Sequence, residues 1–494
     1  MITNNSNPGN PGSPGLLLQQ NIEDFFDHLA KTRDYWIEKN SYYYADIKSF
    51  LRFIIPKNSA VLEIGCGTGD ILSAVEPMSG RGVGIDISQE MVQRAQEKYP
   101  RLSFQQLRAE NIDMLETHEA FDFIIISDTL GHLEDIQKVL QKIKVISNKE
   151  TRIIFTFHNF LWQPLLKVAE WFHAKMPQER LNWLNHSDLL SLLHIEGYDV
   201  IKSGQRFLCP KKIPLLAPLC NKYLVHLPFF NSFGIYNYIV TKVSDACPED
   251  ISRTRYSVSV VVPARNEKGN IENAVKRIPK MGKHTEIIFV EGNSTDDTYE
   301  EIKRVCDKYA TEYDLKYFKQ EGKGKGDAVR KGFAHASGDI LMILDADLTM
   351  PPEELPKFYN AIASGKGEFI NGSRLVYPME KEAMRSLNIL GNKFFSMAFT
   401  WLLSQRLKDT LCGTKVILKS HYEKLIHNRS YFGDFDPFGD FDLIFGAAKL
   451  NLKIVEIPIR YRARTYGDTN ISRFYHGLLL LRMVIFAMNK IKFV

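Results

Sequence analysis

The sequence has no Cys-x-x-Cys pair. Its six cysteines (Cys66, Cys209, Cys220, Cys247, Cys306 and Cys412) are scattered through 494 residues. Neither a zinc site nor a disulfide framework is predicted, and a reducing, cytoplasmic compartment is expected. Charge of one sign is not in excess. Basic residues number 63 and acidic residues 58, a net charge of +5, so no nucleic-acid partner is expected. No basic segment followed by an apolar one opens the sequence, so no signal peptide is expected. Uncharged apolar runs fall short of the roughly 18 residues that a spanning helix needs. The longest candidate, "LLLLRMVIFAM" (478–488), is interrupted by Arg482.

Length allows about two to four domains. The Pro/Gly/Asn/Ser tract "NNSNPGNPGSPG" (4–15) cannot bury a core, and a disordered tail is predicted over residues 1–20. Two strand–Gly-rich turn–helix openings follow, one at Val61 and one at Val258. Between them "TKVSDACPEDISRTRYS" (241–257) is polar and without a clear period. The predicted plan is a first domain over 21–245, a linker over 246–256 and a second domain over 257–494.

Seven strands are predicted in the first half: 60–64, 82–86, 102–106, 121–127, 152–158, 198–202 and 236–243. Helical patterns lie between several of them, as in "LEDIQKVLQKIKVIS" (133–147), so a parallel, doubly wound α/β sheet is expected. The second half alternates likewise, with strands that include 258–262, 286–290, 340–344 and 368–371.

"VLEIGCGTGD" (61–70) reads as a strand, a glycine turn and a helix start. Gly65, Gly67 and Gly69 remove side chains so that the backbone can approach a ligand. The spacing is G-x-G-x-G, whereas dinucleotide sites use G-x-G-x-x-G, which disfavours a nicotinamide oxidoreductase. The next strand ends in an acidic residue, Asp86 of "GVGIDIS", suited to accept bonds from two ribose hydroxyls of an adenosine ligand. With "RAENID" (108–113) and "FDFIIISDTLGHLEDI" (121–136), residues 21–245 resemble class I S-adenosylmethionine-dependent methyltransferases. The resemblance implies a Rossmann-like seven-stranded fold that binds S-adenosylmethionine. It implies that Glu63 and Gly65 shape the methionine side, Asp86 holds the ribose, Glu110 and Asn111 lie by the adenine, and Ser127 lies near the sulfonium. His132 is the candidate base for the methyl acceptor, or else a helix-capping histidine. The insertion 206–234, rich in Pro, Leu and aromatics, reads as a lid, a membrane-facing loop or packing.

In the second half, "ILDADLTMPP" (343–352) ends an apolar strand in two carboxylates, Asp345 and Asp347. Burying such charges unpaired is costly, so a cationic partner is expected. "VSVVVPARNE" (258–267), "IIFVEGNSTDDTYEEI" (287–302) and "GKGKGDAVRKGF" (322–333) precede it. In this order the motifs resemble family-two glycosyltransferases of the GT-A fold, especially polyprenol-phosphate sugar transferases. The resemblance implies a nucleotide-sugar donor, with Pro263, Arg265 and Glu267 flanking the nucleoside and Lys325 reaching the diphosphate. Asp347 is then a ligand of Mg²⁺ or Mn²⁺, and Asp345 a ligand or nucleotide contact. Hard cations of this kind take oxygen ligands and bridge phosphates. One departure bears on the nucleobase. The family's V-D-D-G-S turn is here Val290-Glu291-Gly292-Asn293-Ser294, so Glu291 would replace a carboxylate missing at Gly292.

In "FGDFDPFGDFDL" (432–443), Asp440 matches the family's acceptor base, or else the aspartates cap helices. Arg374 and Arg385 match arginines that hold a lipid phosphate, or else form ion pairs. The C-terminal stretch 460–494 carries Arg460, Arg462, Arg464, Arg473, Arg482, Lys490 and Lys492 against the single Asp468. It is expected to lie in a membrane interface or to pack on its domain. The function expected from both resemblances is a bifunctional transferase. It would act on a glycan or a polyprenyl-phosphate acceptor, with peripheral contact at the inner face of the cell membrane. The alternative is a glycosyltransferase whose first domain is a non-catalytic S-adenosylmethionine-binding scaffold.

Overall fold

The structure, a computed structural model, describes residues 14–115, 120–177, 186–244, 256–374, 386–427, 441–462, 464, 466 and 473–493. The chain divides into two units, Met1–Val243 and Ser244–Val494.

The first unit is built on a sheet of β1 (Val61–Ile64), β2 (Gly82–Asp86), β3 (Ser103–Gln106), β4 (Phe123–Ser127), β5 (Arg152–His158), β6 (Tyr198–Arg206) and β7 (Tyr236–Val243). Their order is β3-β2-β1-β4-β5-β7-β6. Side chains alternate between two cores. Leu62, Ile64, Ile124, Ile126 and Phe155 enter one, while Val61, Phe123, Ile125 and Ile154 enter the other. Burial on both faces is why these strands read as unbroken apolar runs. The sheet is not wholly parallel as expected, because β7 runs antiparallel to both β5 and β6. The chain between β6 and β7 makes only short helical turns, such as Pro228–Asn231. It therefore supplies no crossover helix of the length a parallel return requires. The strand order reverses at β1, which opens a crevice beyond the C-terminal ends of β1 and β4.

Three helices precede this sheet, Pro14–Ala30, Arg33–Lys39 and Ser41–Ile54. The first begins inside the stretch expected to be disordered. "LLLQQ" after Pro14 is a run of good helix formers, and proline is favoured in a first helical turn. Residues 1–13 lie outside the described residues.

The second unit has β8 (Val258–Ala264), β9 (Thr285–Glu291), β10 (Asp314–Lys319), β11 (Ile340–Ile343), β12 (Phe369–Ser373), β13 (Lys415–Leu418) and β14 (Ile454–Pro458), in the order β10-β9-β8-β11-β13-β12-β14. β13 is antiparallel to β11 and β12. Three strands, β10, β13 and β14, were not read from the sequence. Two of them, β10 and β14, are edge strands with mostly half-exposed side chains, so neither shows a buried apolar run. The helix Arg473–Ala487 sends Leu480, Met483, Val484 and Ala487 into this unit's core and leaves Leu478, Leu481 and Ile485 exposed. Among the described residues no helix is long and apolar enough to cross a membrane.

Candidate active sites

The crevice of the first unit holds a cavity of about 360 Å³. Its wall collects six residues singled out in the sequence: Gly65, Gly67, Asp86, Glu110, Ser127 and His132. The glycines of the turn differ in what they do. A Cβ on Gly65 would lie 2.3 Å from Thr129 Oγ1, and one on Gly69 would lie 2.7 Å from the Phe104 ring. Both positions therefore serve packing. Gly67 has φ +51° and meets only Arg33 Nε, at 3.7 Å, so its backbone faces open space in the cavity. Asp86 closes the turn: Gly67 N donates to its Oδ2 (2.8 Å) and Ser88 N to its Oδ1 (3.0 Å). The Ile87 N–H also acts on this carboxylate, which lines the cavity and has acceptor capacity left for a ligand.

Glu63 and Asn111 do not line this cavity. Glu63 is buried beneath the turn, where its carboxylate accepts from Leu72 N at 2.9 Å. Burial pushes its pKa well above the usual carboxylate range. Glu110 accepts from Glu134 N at 3.1 Å, and the Ser127 hydroxyl shares a 2.8 Å bond with Thr156. The His132 ring packs edge-on against Phe26, and burial pushes its pKa down to about 4.

A second group in the same wall was not singled out in the sequence. Asp128 takes a left-handed backbone conformation, φ 53°, directly after β4. Its Oδ2 accepts from Tyr43 OH at 3.1 Å, and its Oδ1 lies 3.4 Å from His158 Nδ1. The Tyr43 and His158 rings stack at 5.8 Å. Burial lowers the His158 pKa, opposed by Asp128. Arg33 enters from the helical layer and donates to Tyr44 OH at 3.1 Å. Neither Tyr43 nor His158 belongs to a spaced motif, and only their convergence in space marks them.

In the second unit, Asp345 and Asp347 stand just past β11. Lys325, the first residue of the helix Lys325–Ala334, sets its Nζ 2.6 Å from Asp345 Oδ1. Burial alone would raise the Asp345 pKa, but Lys325, with the charges of Lys415 and Arg374, outweighs it and holds the carboxyl below its usual range. Gly413 presses on the same group, since a Cβ there would lie 1.8 Å from Asp345 Oδ2. Asp347 Oδ1 accepts from Thr349 N (3.1 Å) and Oγ1 (2.8 Å). Arg464 bridges Asp347 Oδ2 (2.8 Å) and Glu267 Oε1 (3.0 Å). Thus Arg464, counted in the sequence among cations of an interfacial segment, instead points inward at the carboxylates. Burial, together with the charges of Asp347 and Asp345, pushes the Glu267 pKa up.

Pro263 and Arg265 flank the end of β8, with Arg265 exposed. Glu291 is buried and accepts from Ser294 N at 2.5 Å, so it braces its own turn. Arg374 grips Asp409 through Nε (2.7 Å) and Nη2 (2.8 Å), and lies over the Tyr461 ring. It forms a buried ion pair rather than standing open to a phosphate. Arg385 and Asp440 lie outside the described residues.

The Arg374–Asp409 pair predicts a stability effect. Arg374→Ala would leave Asp409, which is fully buried, without its counter-charge, at a cost of about 3–5 kcal/mol. Urea denaturation would show it, and a midpoint equal to that of the parent would refute it. Burial by itself raises the Asp409 pKa, but Arg374 outweighs this and depresses it. The pair's contribution is therefore complete above about pH 4 and is lost as pH falls through the lower folded value.

Two sites thus sit at the strand ends of two α/β units, one a glycine-turn cavity and the other a carboxylate cluster. Residues 55–197 match the family model for a methyltransferase domain, and residues 259–426 match glycosyl transferase family 2. The chain carries a methyltransferase domain followed by a family-2 glycosyltransferase domain. The second domain is similar to a dolichol-phosphate mannosyltransferase of Pyrococcus furiosus, 31% identical over 44% of this chain and 59% of that protein. It is also similar to an undecaprenyl-phosphate 4-deoxy-4-formamido-L-arabinose transferase of Edwardsiella ictaluri, 32% identical over 46% of this chain and 66% of that protein. A solved SAM-dependent methyltransferase of Thermotoga maritima aligns over 45% of this chain and 99% of its own, at 18% identity and a TM-score of 0.36. The chain spans between 34% and 68% of the length of six curated relatives that it matches.

Proposed function

We propose that the chain transfers a methyl group from S-adenosylmethionine in its first unit and a sugar from a nucleotide-sugar donor in its second. The observation that carries this reading is the pairing of two built sites on one chain: the Asp86–Gly67 turn in an open cavity, and the Asp345–Asp347 cluster at a strand end.

In the first unit the open space at Gly67 and the remaining acceptor capacity of Asp86 fit an adenosine ribose. S-adenosylmethionine bound there would supply an electrophilic methyl group. The Asp128 carboxylate, 3.4 Å from His158 Nδ1, favours a charged imidazolium, so His158 can take the proton from an oxygen or nitrogen nucleophile. His132 packs against Phe26, and its pKa of about 4 makes it a weak base at neutral pH. His158→Ala should slow methyl transfer by roughly a hundredfold or more, the usual worth of a positioned base, while His132→Ala should cost much less. The His158 pKa is lowered, so the parent rate should hold steady through neutral pH and fall only below the ordinary imidazole value. Loss of activity in His132→Ala alone would return the role to His132.

In the second unit Asp347 and Asp345 offer the hard oxygen donors that suit Mg²⁺ or Mn²⁺, with Glu267 close by. A divalent cation held there would offset charge on the departing nucleoside diphosphate. Lys325 is placed to exchange Asp345 for a diphosphate oxygen, and Arg464 to exchange Asp347. Asp440 is the acceptor base implied by the family resemblance. The names of the two curated relatives support a polyprenyl-phosphate acceptor, with a glycan hydroxyl as the alternative. A peripheral position on the cytoplasmic face of a membrane agrees with the exposed Leu478, Leu481 and Ile485.

The test is the full chain with labelled S-adenosylmethionine and labelled nucleotide sugars, supplied with polyprenyl phosphate or a soluble glycan. Product carrying sugar but never methyl, with S-adenosylmethionine bound and not consumed, would favour the scaffold reading of the first unit.

A further inference from the structure

The insertion between β6 and β7 and the turn after β5 form a face that the chemistry above does not use. The turn Phe160–Trp162 and the helix Gln163–Trp171 contain no buried residue, and neither does the helix Pro228–Asn231. The two segments are tied side by side. Asn159 Nδ2 donates to Ser232 O (3.1 Å) and Gly234 O (2.9 Å), and Trp162 Nε1 donates to Phe233 O (2.8 Å).

On them stand large apolar side chains in water: Trp171 is 77% exposed, Phe172 69%, Leu215 88% and Phe229 72%. Leu215 is held there at a positive φ of 62°, a conformation unfavourable for a branched residue. A monomer does not ordinarily leave so much apolar surface bare. The charge around it has one sign. Residues 200–234 contain no Asp or Glu, while Lys211, Lys212 and Lys222 are exposed, and Lys167 is exposed on the neighbouring helix. Glu170 of that helix is paired with Lys175 at 3.0 Å.

Both segments also rim the methyl-transfer cavity, through Leu165 and Ala169 on one side and Pro210 and Lys211 on the other.

We propose that this face seats the methyltransferase domain on an anionic lipid surface, and that the methyl acceptor enters the cavity from that surface as a lipid-borne molecule. Aromatic and aliphatic side chains enter the interface, and the lysines meet the lipid phosphates. The segments are too short to span, which limits them to the interfacial layer. A protein partner would have to be both apolar and acidic, whereas an anionic bilayer offers both properties over its whole area. The second half of the proposal rests on the reading of the cavity as the methyl-transfer site.

The experiment is flotation of the full chain with vesicles of phosphatidylglycerol and phosphatidylcholine, and with phosphatidylcholine alone. The parent should float with the anionic vesicles and lose them as salt rises. Trp171→Ser with Phe172→Ser, and Leu215→Ser with Phe229→Ser, should each weaken partition by about tenfold or more. Their melting temperature and S-adenosylmethionine affinity should match the parent, because these side chains touch neither core nor cavity. Leu478→Ser with Ile485→Ser, in the other unit, is the control that keeps this contribution. The proposal is overturned if the parent does not float, if both variants float like the parent, or if only the Leu478/Ile485 variant loses vesicles. A parent dimer that the Trp171 and Leu215 variants dissolve, without vesicle binding, would mean that a second copy covers the face. If the parent floats through this face yet binds no S-adenosylmethionine, the cavity reading fails and with it the lipid-borne acceptor.

Discussion

Asp347→Asn should leave a folded protein that transfers sugar roughly a thousandfold more slowly, since several kcal/mol of charge stabilisation leave with the cation. Asp347 is held on one oxygen by Thr349 and on the other by Arg464. An amide can keep the Thr349 bonds, so the fold should survive while the charge that attracts a divalent ion is halved at the cluster. Chelator should reproduce the defect in the parent, and added Mn²⁺ or Mg²⁺ should restore the parent but not the variant. Full sugar transfer in excess chelator would exclude the metal and leave Lys325 and Arg464 to hold the diphosphate. Methyl transfer should be the same in parent and variant, which separates this effect from general damage.

Asp86→Ala should weaken S-adenosylmethionine by about 2–4 kcal/mol, from two charge-assisted hydrogen bonds lost to the ribose. The same carboxylate receives the N–H groups of Gly67 and Ser88, so the variant also loosens the turn that lets the ligand close on the backbone. Asp86→Asn separates the two effects. It retains one acceptor oxygen and should fall between parent and alanine. Calorimetry on the full chain gives the answer directly, and an unchanged affinity in Asp86→Ala would remove this residue from the site.

Much of each site can be read in the chain because its parts are local. Gly65 and Gly67 follow one strand, and Asp86 ends the next. Asp345 and Asp347 end an apolar run in which carboxylates have no structural use. Residues that arrive from a distance carry no such mark. Arg464 meets Asp347 from 117 positions away, and its sequence neighbourhood suggests a basic surface segment. Gly413 looks like any loop glycine until the Asp345 carboxylate is seen filling the place of its Cβ. Arg374 shows the opposite case. Motif position suggests a ligand arginine, while the folded chain supplies Asp409 at bonding distance.

The sequence by itself determined that there are two α/β units, where most of their strands lie and which strand ends carry the glycine turn and the carboxylates. These properties follow from apolar runs and turn residues that act over a few positions. Only the tertiary structure decided the antiparallel course of β7 and β13, since strand direction depends on how the connecting chain packs and not on the strand's own residues. It also decided the pairing of Asp128 with His158 and the inward turn of Arg464. Such contacts are set by which side chains the sheet order brings together, and one strand or loop read alone holds no record of its neighbours. The bare apolar face of the insertion 206–234 belongs to the same class. Its composition suits a core and a membrane interface equally, and only the folded chain leaves Leu215 and Phe229 in solvent.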